Sequence, residues 1–133
     1  MNTPKSVEII KERVEPAFED ERGKIYDIVD RENIRHIGLI TFTKGSVRGG
    51  HYHKEAKQIT YVVSGRIELM LRDSKDAGQK KEQTIIMEAG DMVTIPPMII
   101  HSLKSIGDAT ILVLTDKQRS DNGYENDTHR VQI

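Results

Sequence analysis

The stretch Arg48-Gly49-Gly50-His51-Tyr52-His53-Lys54, followed by Gln58 and then Gly65, decides how this chain is read. His51 and His53 sit two residues apart. In a strand, residues i and i+2 share a face, so both imidazoles project into the same space. A third histidine, His101, lies in a second strand-like run over 98–103, announced by Gly90 and by Pro96-Pro97. Two imidazoles from one strand and one from another are a standard way to build a metal site or an acid/base centre inside a small β-barrel.

Outward from that stretch the chain reads as short strands between turn signals. Strands are expected over 25–29, 34–43, 58–63, 66–72, 83–87, 92–95, 99–103 and 110–114, eight or nine in all once the histidine stretch is counted. Ser64-Gly65 is a hairpin signal, and Gly107-Asp108 is the turn before the last strand. Within 66–72, Ile67, Leu69 and Leu71 alternate with Arg66, Glu68 and Arg72, which predicts one buried and one wet face. Ile67, Leu69, Met70, Leu71, Ile86, Met92, Ile95, Ile111 and Val113 are the expected core. Residues 73–78 read as a polar loop. Residues 6–15 are ambiguous, because Val7, Ile10 and Val14 recur at helical spacing over too short a run to separate a helix from an edge strand. The tail from Asp116 is polar and without period, either disordered or folded over a barrel mouth.

Many short strands at such spacing predict an all-β sandwich or barrel. At 133 residues the chain is one domain with a real core. The barrel is expected over about 25–116, with 1–24 as an N-terminal segment and 117–133 as a tail. No cysteine is present, which excludes disulfides and thiolate chemistry. A net charge of −1 with 31% charged residues gives a mixed surface with no basic stripe for nucleic acid. No apolar run approaches the roughly 18 residues that a membrane-spanning helix needs. Residues 1–11 are polar and lack the apolar centre of a signal peptide, so the cytoplasm is the expected location.

The spacing Gly45-x5-His51-x-His53-x4-Gln58-x6-Gly65, followed by Gly90-x5-Pro96-x4-His101, resembles the two sequence motifs of the cupin superfamily. The match runs from Gly45 to Ser105, nearly half the chain. The resemblance implies a double-stranded β-helix, or jelly roll. It also implies a pocket where the histidines and the acidic residue of the motifs bind a divalent metal. The chain departs from the pattern at three points: Gln58 replaces the first-motif glutamate, Met98 a glycine, and Ser105 an asparagine. A neutral amide is a poorer metal ligand than a carboxylate.

A narrower likeness is carried by Arg48, Gly49, His51, His53, Lys54 and Gln58. Arg-Gly-x-His-x-His-Lys-x3-Gln resembles the signature of the sugar-nucleotide 3,4-ketoisomerases, cupins that act on dTDP-4-keto-6-deoxyhexoses. Residues 18–23, Phe-Glu-Asp-Glu-Arg-Gly, resemble a segment of the dTDP-sugar 3,5-epimerases. The tail motif Gly123-Tyr124-Glu125-Asn126-Asp127 departs from the ketoisomerase ending.

Moving a ketone along a hexose needs a proton removed beside the carbonyl and another delivered to the neighbouring carbon. Histidine suits both tasks at neutral pH. The expected roles are His51 as the main acid/base and His53 as its partner. Arg48, Gln58, Tyr61 and His101 are expected to bind substrate, with Arg48 suited to a pyrophosphate by bidentate contact. No cofactor is required for that chemistry. The alternative is a metal cupin, an oxygenase or isomerase, with His51, His53, Gln58 and His101 around Zn, Fe, Mn, Ni or Cu. A third possibility is a non-catalytic binding module. Plainer assignments compete residue by residue: a satisfied core amide for Gln58, a core histidine for His101, solvated strand ends for Arg48 and Lys54. His36 and His129 have no partner at ligand spacing and read as structural or surface residues. Asp20 and Arg22 read as a loop ion pair. An open jelly roll leaves edge strands to protect, so a homodimer is expected, with residues 6–15 as the segment that reaches the partner.

Overall fold

Alternating apolar and polar residues shape most of the molecule. The computed structural model describes residues 8–75 and 81–131. In chain order the strands are β1 (Lys11–Arg13), β2 (Phe18–Asp20), β3 (Gly23–Ile25), β4 (His36–Phe42), β5 (Val47–His53), β6 (Gln58–Ser64), β7 (Arg66–Asp73), β8 (Gln83–Glu88), β9 (Asp91–Ile95), β10 (Ile99–Ser105), β11 (Ala109–Thr115) and β12 (Thr128–Arg130). A five-residue helix, α1 (Gly123–Asp127), precedes β12. Two five-stranded sheets, ordered β1-β9-β6-β11-β4 and β12-β5-β10-β7-β8, are antiparallel throughout and face each other as a jelly roll. Strands β2 and β3 form a separate hairpin.

The core lies between the sheets. Ile67, Leu69 and Leu71 of β7 meet Met87 of β8, Val93 and Ile95 of β9, Val62 of β6, and Ile111 and Val113 of β11. Three residues expected in this core are not in it. Ile86 is 42% exposed, and Met70 and Met92 are half-buried. Each is one step out of phase with its buried neighbours, so the pleat turns it to the outer face.

Ser64-Gly65 is a turn, but not the expected hairpin: β6 pairs with β9 and β11, β7 with β8 and β10, so the chain crosses here from one sheet to the other. Gly65 has φ +83°, and a Cβ there would stand 2.3 Å from the carbonyl oxygen of Asp108. The turn therefore packs against the turn before β11 at a distance that only glycine allows.

Other boundaries differ from the expected ones. The predicted strand over 25–29 is instead the end of the β2–β3 hairpin, and residues 26–29 are irregular. Asp20 and Arg22 pair at the tip of that hairpin, the arginine Nε donating to the carboxylate at 2.9 Å. Residues 11–13 form an edge strand on β9, and Ile9 enters the core of its own chain. Arg13 holds the strand there by donating to the buried Asp91 at 3.1 Å. Ile9 thus has a place within the barrel, whereas Ile10 is 68% exposed. Ser6, Val7 and positions 76–78 of the expected polar loop lie outside the described residues.

Candidate functional site

Residues of β5 and β10 face one cavity because of a bulge. His101 pairs with His51, but Ser102 pairs with Gly49, which leaves Gly50 as an extra residue on β5. Gly49 makes the close approach possible: with φ +95°, a Cβ there would lie 2.7 Å from the His101 carbonyl oxygen. The far end of β5 is tied down by Met98, whose N–H donates to the His53 carbonyl at 2.7 Å. Met98 has φ +72°, a conformation that suits the glycine its motif carries elsewhere.

The three histidines converge as the spacing predicted. One ring nitrogen from each lies within 4.8 Å of the others. Ring centroids are 4.7 Å apart for His51 and His101, 4.9 Å for His51 and His53, and 5.4 Å for His53 and His101. His53 and His101 are buried, and His51 is half-buried. Nδ1 of His101 donates to the Ile99 carbonyl at 3.1 Å, since a carbonyl only accepts. Its Nε2 is buried without a hydrogen-bond partner.

Burial disfavours the charged form of all three rings. It pushes His101 down to about 3, helped by the neighbouring His51. It pushes His51 down to about 4, helped by His53 and Arg130. His53 is lowered too, but Asp127 and the Gln58 side chain oppose the shift. At neutral pH the cluster is three uncharged imidazoles with lone pairs to offer.

Around them is an open cavity of about 790 Å³. Gln58 of β6 lines it, and its amide donates to Thr60 at 3.3 Å. Arg48 lines it as well. Its guanidinium lies 5.4 Å from the Phe42 ring centroid and donates to the Thr41 carbonyl at 3.2 Å. Tyr61 does not reach the cavity. Gln58, Thr60 and Val62 point inward, so the pleat turns Tyr61 outward, and its assignment to the substrate set is corrected. Lys54 is exposed and likewise lies outside the lining.

Several lining residues were missed in the sequence. His36 faces the cavity from β4, although it has no partner at ligand spacing. The tail contributes Arg119, Tyr124, Asp127 and Arg130. It is folded over the barrel mouth: β12 pairs with β5, placing Thr128 opposite His53 and Arg130 opposite His51. The Asp127 carboxylate accepts the backbone N–H groups of Glu55 and Ala56 at 2.8 and 3.0 Å. Tyr124 lies under the Arg119 guanidinium at 4.3 Å, with its ring 5.8 Å from His53 and 6.3 Å from His51. A lone tyrosine in a polar tail was the available signal, but nothing local says where a tail docks. His129 stacks on Tyr52 with centroids 5.2 Å apart, in keeping with a structural role.

Four cationic side chains line the cavity: Arg48, Lys117, Arg119 and Arg130. The carboxylate among the lining residues, Asp127, is occupied by backbone donors. Arg130 also pairs with Glu125 at 3.3 Å. The mouth is thus electropositive over an uncharged floor.

Solved structures of low sequence identity share this fold. A TDP-fucose-3,4-ketoisomerase from Campylobacter jejuni superposes with a TM-score of 0.77 at 19% identity, over 94% of this chain and 90% of that one. A dTDP-4-dehydrorhamnose 3,5-epimerase from Sulfolobus tokodaii gives 0.75 at 21%, over 93% and 77%. In sequence, the spore coat polysaccharide biosynthesis protein SpsL of Bacillus subtilis is 23% identical over 121 residues, 84% of this chain and 80% of that protein. The jelly roll expected from the histidine motifs is therefore the observed fold. The family described as the polysaccharide biosynthesis C-terminal domain matches residues 18–129, most of the chain, and the chain belongs to it.

Proposed function

We propose that this protein is a sugar-nucleotide isomerase, a 3,4-ketoisomerase or epimerase that moves protons beside a ketone in making deoxysugars for surface polysaccharide. One observation carries the reading: uncharged imidazoles of His51, His53 and His101 form the floor of a cavity whose mouth is cationic. The mouth suits a diphosphate, with Arg48 offering a bidentate fork. The floor suits a neutral sugar ring. The names of the C. jejuni and S. tokodaii structures support the substrate class.

In the ketoisomerase version, His51 accepts the proton from C3 of a 4-keto sugar. The C–H electrons form the C3–C4 double bond of an enediol as the C4 oxygen takes up a proton. Return of a proton to C4 and loss of the C3 hydroxyl proton complete the move, so no redox partner is needed. Burial keeps His51 uncharged at neutral pH, the form that can accept the first proton. His53 is the partner base, Gln58 a hydrogen-bonding wall, and His101 the far side of the pocket.

The donor set also fits a divalent transition metal. Three neutral imidazoles with ring nitrogens within 4.8 Å, one of them the unpartnered Nε2 of His101, match a three-histidine site. Such an ion would polarise the ketone oxygen as a Lewis acid. His51, His53 and His101 would hold it, with Gln58 alongside.

The reading includes a homodimer in the cytoplasm. Ile37 and Leu39 on the edge strand β4 are 62% and 67% exposed, and an apolar edge calls for cover. Phe18, Ile25 and Tyr26 at the β2–β3 hairpin are exposed as well. No helix among the described residues is long and apolar enough to cross a membrane. Sedimentation showing a monomer at all concentrations would remove the dimer.

The deciding experiment is incubation with dTDP-4-keto-6-deoxyglucose in deuterated water, followed by NMR. Deuterium at C4 with a new 3-ketone supports the ketoisomerase, and deuterium at C3 or C5 without ketone migration supports the epimerase. No exchange and no product would overturn the reading.

A further inference from the structure

The tail does more than wall the cavity. Thr128 is buried at the end of α1, and its hydroxyl donates to the carbonyl of Tyr124, four residues earlier. That is the back-bond a threonine makes to the preceding helical turn. A hydroxyl has one proton, and here it is committed. Yet the same Oγ1 lies 3.4 Å from Nδ1 of His53. Toward the imidazole it can only accept, so Nδ1 must carry the hydrogen. In the neutral ring Nε2 is then the lone-pair nitrogen.

The placement is built in from several directions. Thr128 is the register partner of His53 across β12 and β5. The residue before it, Asp127, anchors the tail through the backbone N–H groups of Glu55 and Ala56, just beyond His53. His101 has a parallel arrangement, because its Nδ1 donates to the Ile99 carbonyl and leaves Nε2 free. Two of the three rings therefore present the same nitrogen as a lone pair. One is set by a backbone carbonyl, and the other faces the tail, where the Thr128 hydroxyl and the Asp127 backbone both lie against the His53 ring.

We propose that Thr128 is a positioning residue that fixes His53 as its Nδ1–H tautomer and aims a free Nε2 at the functional cluster. The tail thereby completes the acid/base set. The same tautomer serves proton transfer and metal ligation alike, because the partner of one ring nitrogen decides which task the other performs.

The test is long-range 1H–15N NMR of the full chain, comparing wild type, Thr128→Val and Thr128→Ser. In wild type, His53 is expected to show a protonated Nδ1 and a bare Nε2. Thr128→Ser keeps the acceptor and should keep that pattern. Thr128→Val removes it and should mix the tautomers, while the His101 signals stay put and report an intact fold. A His53 protonated on Nε2 in wild type, or unchanged in Thr128→Val, would overturn the proposal. If Thr128→Val does not fold, the wild-type and Thr128→Ser spectra decide. The kinetic consequence rests on the isomerase reading: kcat should fall about tenfold or more in Thr128→Val with little change in KM, and return in Thr128→Ser. The NMR result stands apart from that reading, so each can fail without the other.

Discussion

His51 and His101 are register partners across β5 and β10, with ring centroids 4.7 Å apart and planes at 89°. They come from segments fifty residues apart in sequence, and the Gly49-Gly50 bulge brings them onto the same cavity. Both rings line the cavity, His101 almost fully buried and His51 half-buried. His51 is thus the more accessible ring of the two.

His51→Gln should lower turnover about 10²- to 10⁴-fold, the range for losing a positioned general base. The glutamine fills much of the same space, so the thermal midpoint should hold or rise. Steady-state kinetics and calorimetry on the same preparation check both. Wild-type turnover in this variant would remove His51 from the mechanism.

Stability of the metal-free protein should fall on mild acidification. His51 and His101 sit at about 4 and about 3 in the folded protein, below the 6.5 of a free histidine. Between those values the unfolded chain binds protons that the folded chain refuses, so stability drops as pH falls from about 6.5 toward 4. Above about 7 these two groups contribute no slope. Urea midpoints at pH 7.5, 6 and 5 should decline in that order, and His101→Asn should flatten the decline. An equal slope in that variant would show that other groups carry it.

Asp127→Ala should loosen the tail. Its carboxylate satisfies two backbone donors, and leaving them without it costs about 1–3 kcal/mol. Amide exchange should speed up at His129 and Val131, whose N–H groups face β5, while β7 stays protected. Retention of slow exchange there would mean that the β5–β12 pairing holds the tail unaided.

Gly65→Ala should be among the most damaging single-methyl changes in the chain. The added carbon meets the Asp108 carbonyl in a backbone conformation that already disfavours alanine. Strain at such a position is about 1–3 kcal/mol before the clash is counted. Urea denaturation reads it directly. A midpoint equal to wild type would show that the two turns move apart freely.

Chelation separates the two uses of the histidines. Under the proton-transfer reading, dialysis against EDTA should leave turnover unchanged. Elemental analysis showing one tightly held transition metal per chain, absent in His101→Ala, would favour the metal site instead.

The local pattern of residues determined much of this protein. The alternation in 66–72 and the His51–His53 spacing each depend on a few neighbouring residues, and each appears as expected, whereas the Ser64-Gly65 turn links two sheets instead of two paired strands. Long-range placement was decided by the tertiary structure. Tyr61 differs from its inward neighbours by a single step of the pleat, and Ile86 from Ile85 likewise, so apolar character alone could not assign their faces. The tail has no periodic pattern because it is held chiefly by the β5 edge and by the Asp127 carboxylate, not by a core of its own. Which nitrogen of His53 is free depends on a hydroxyl 75 residues away in the chain. Local propensities act over a few residues, whereas an active site gathers groups from across the chain, and their meeting is settled only when the sheets close.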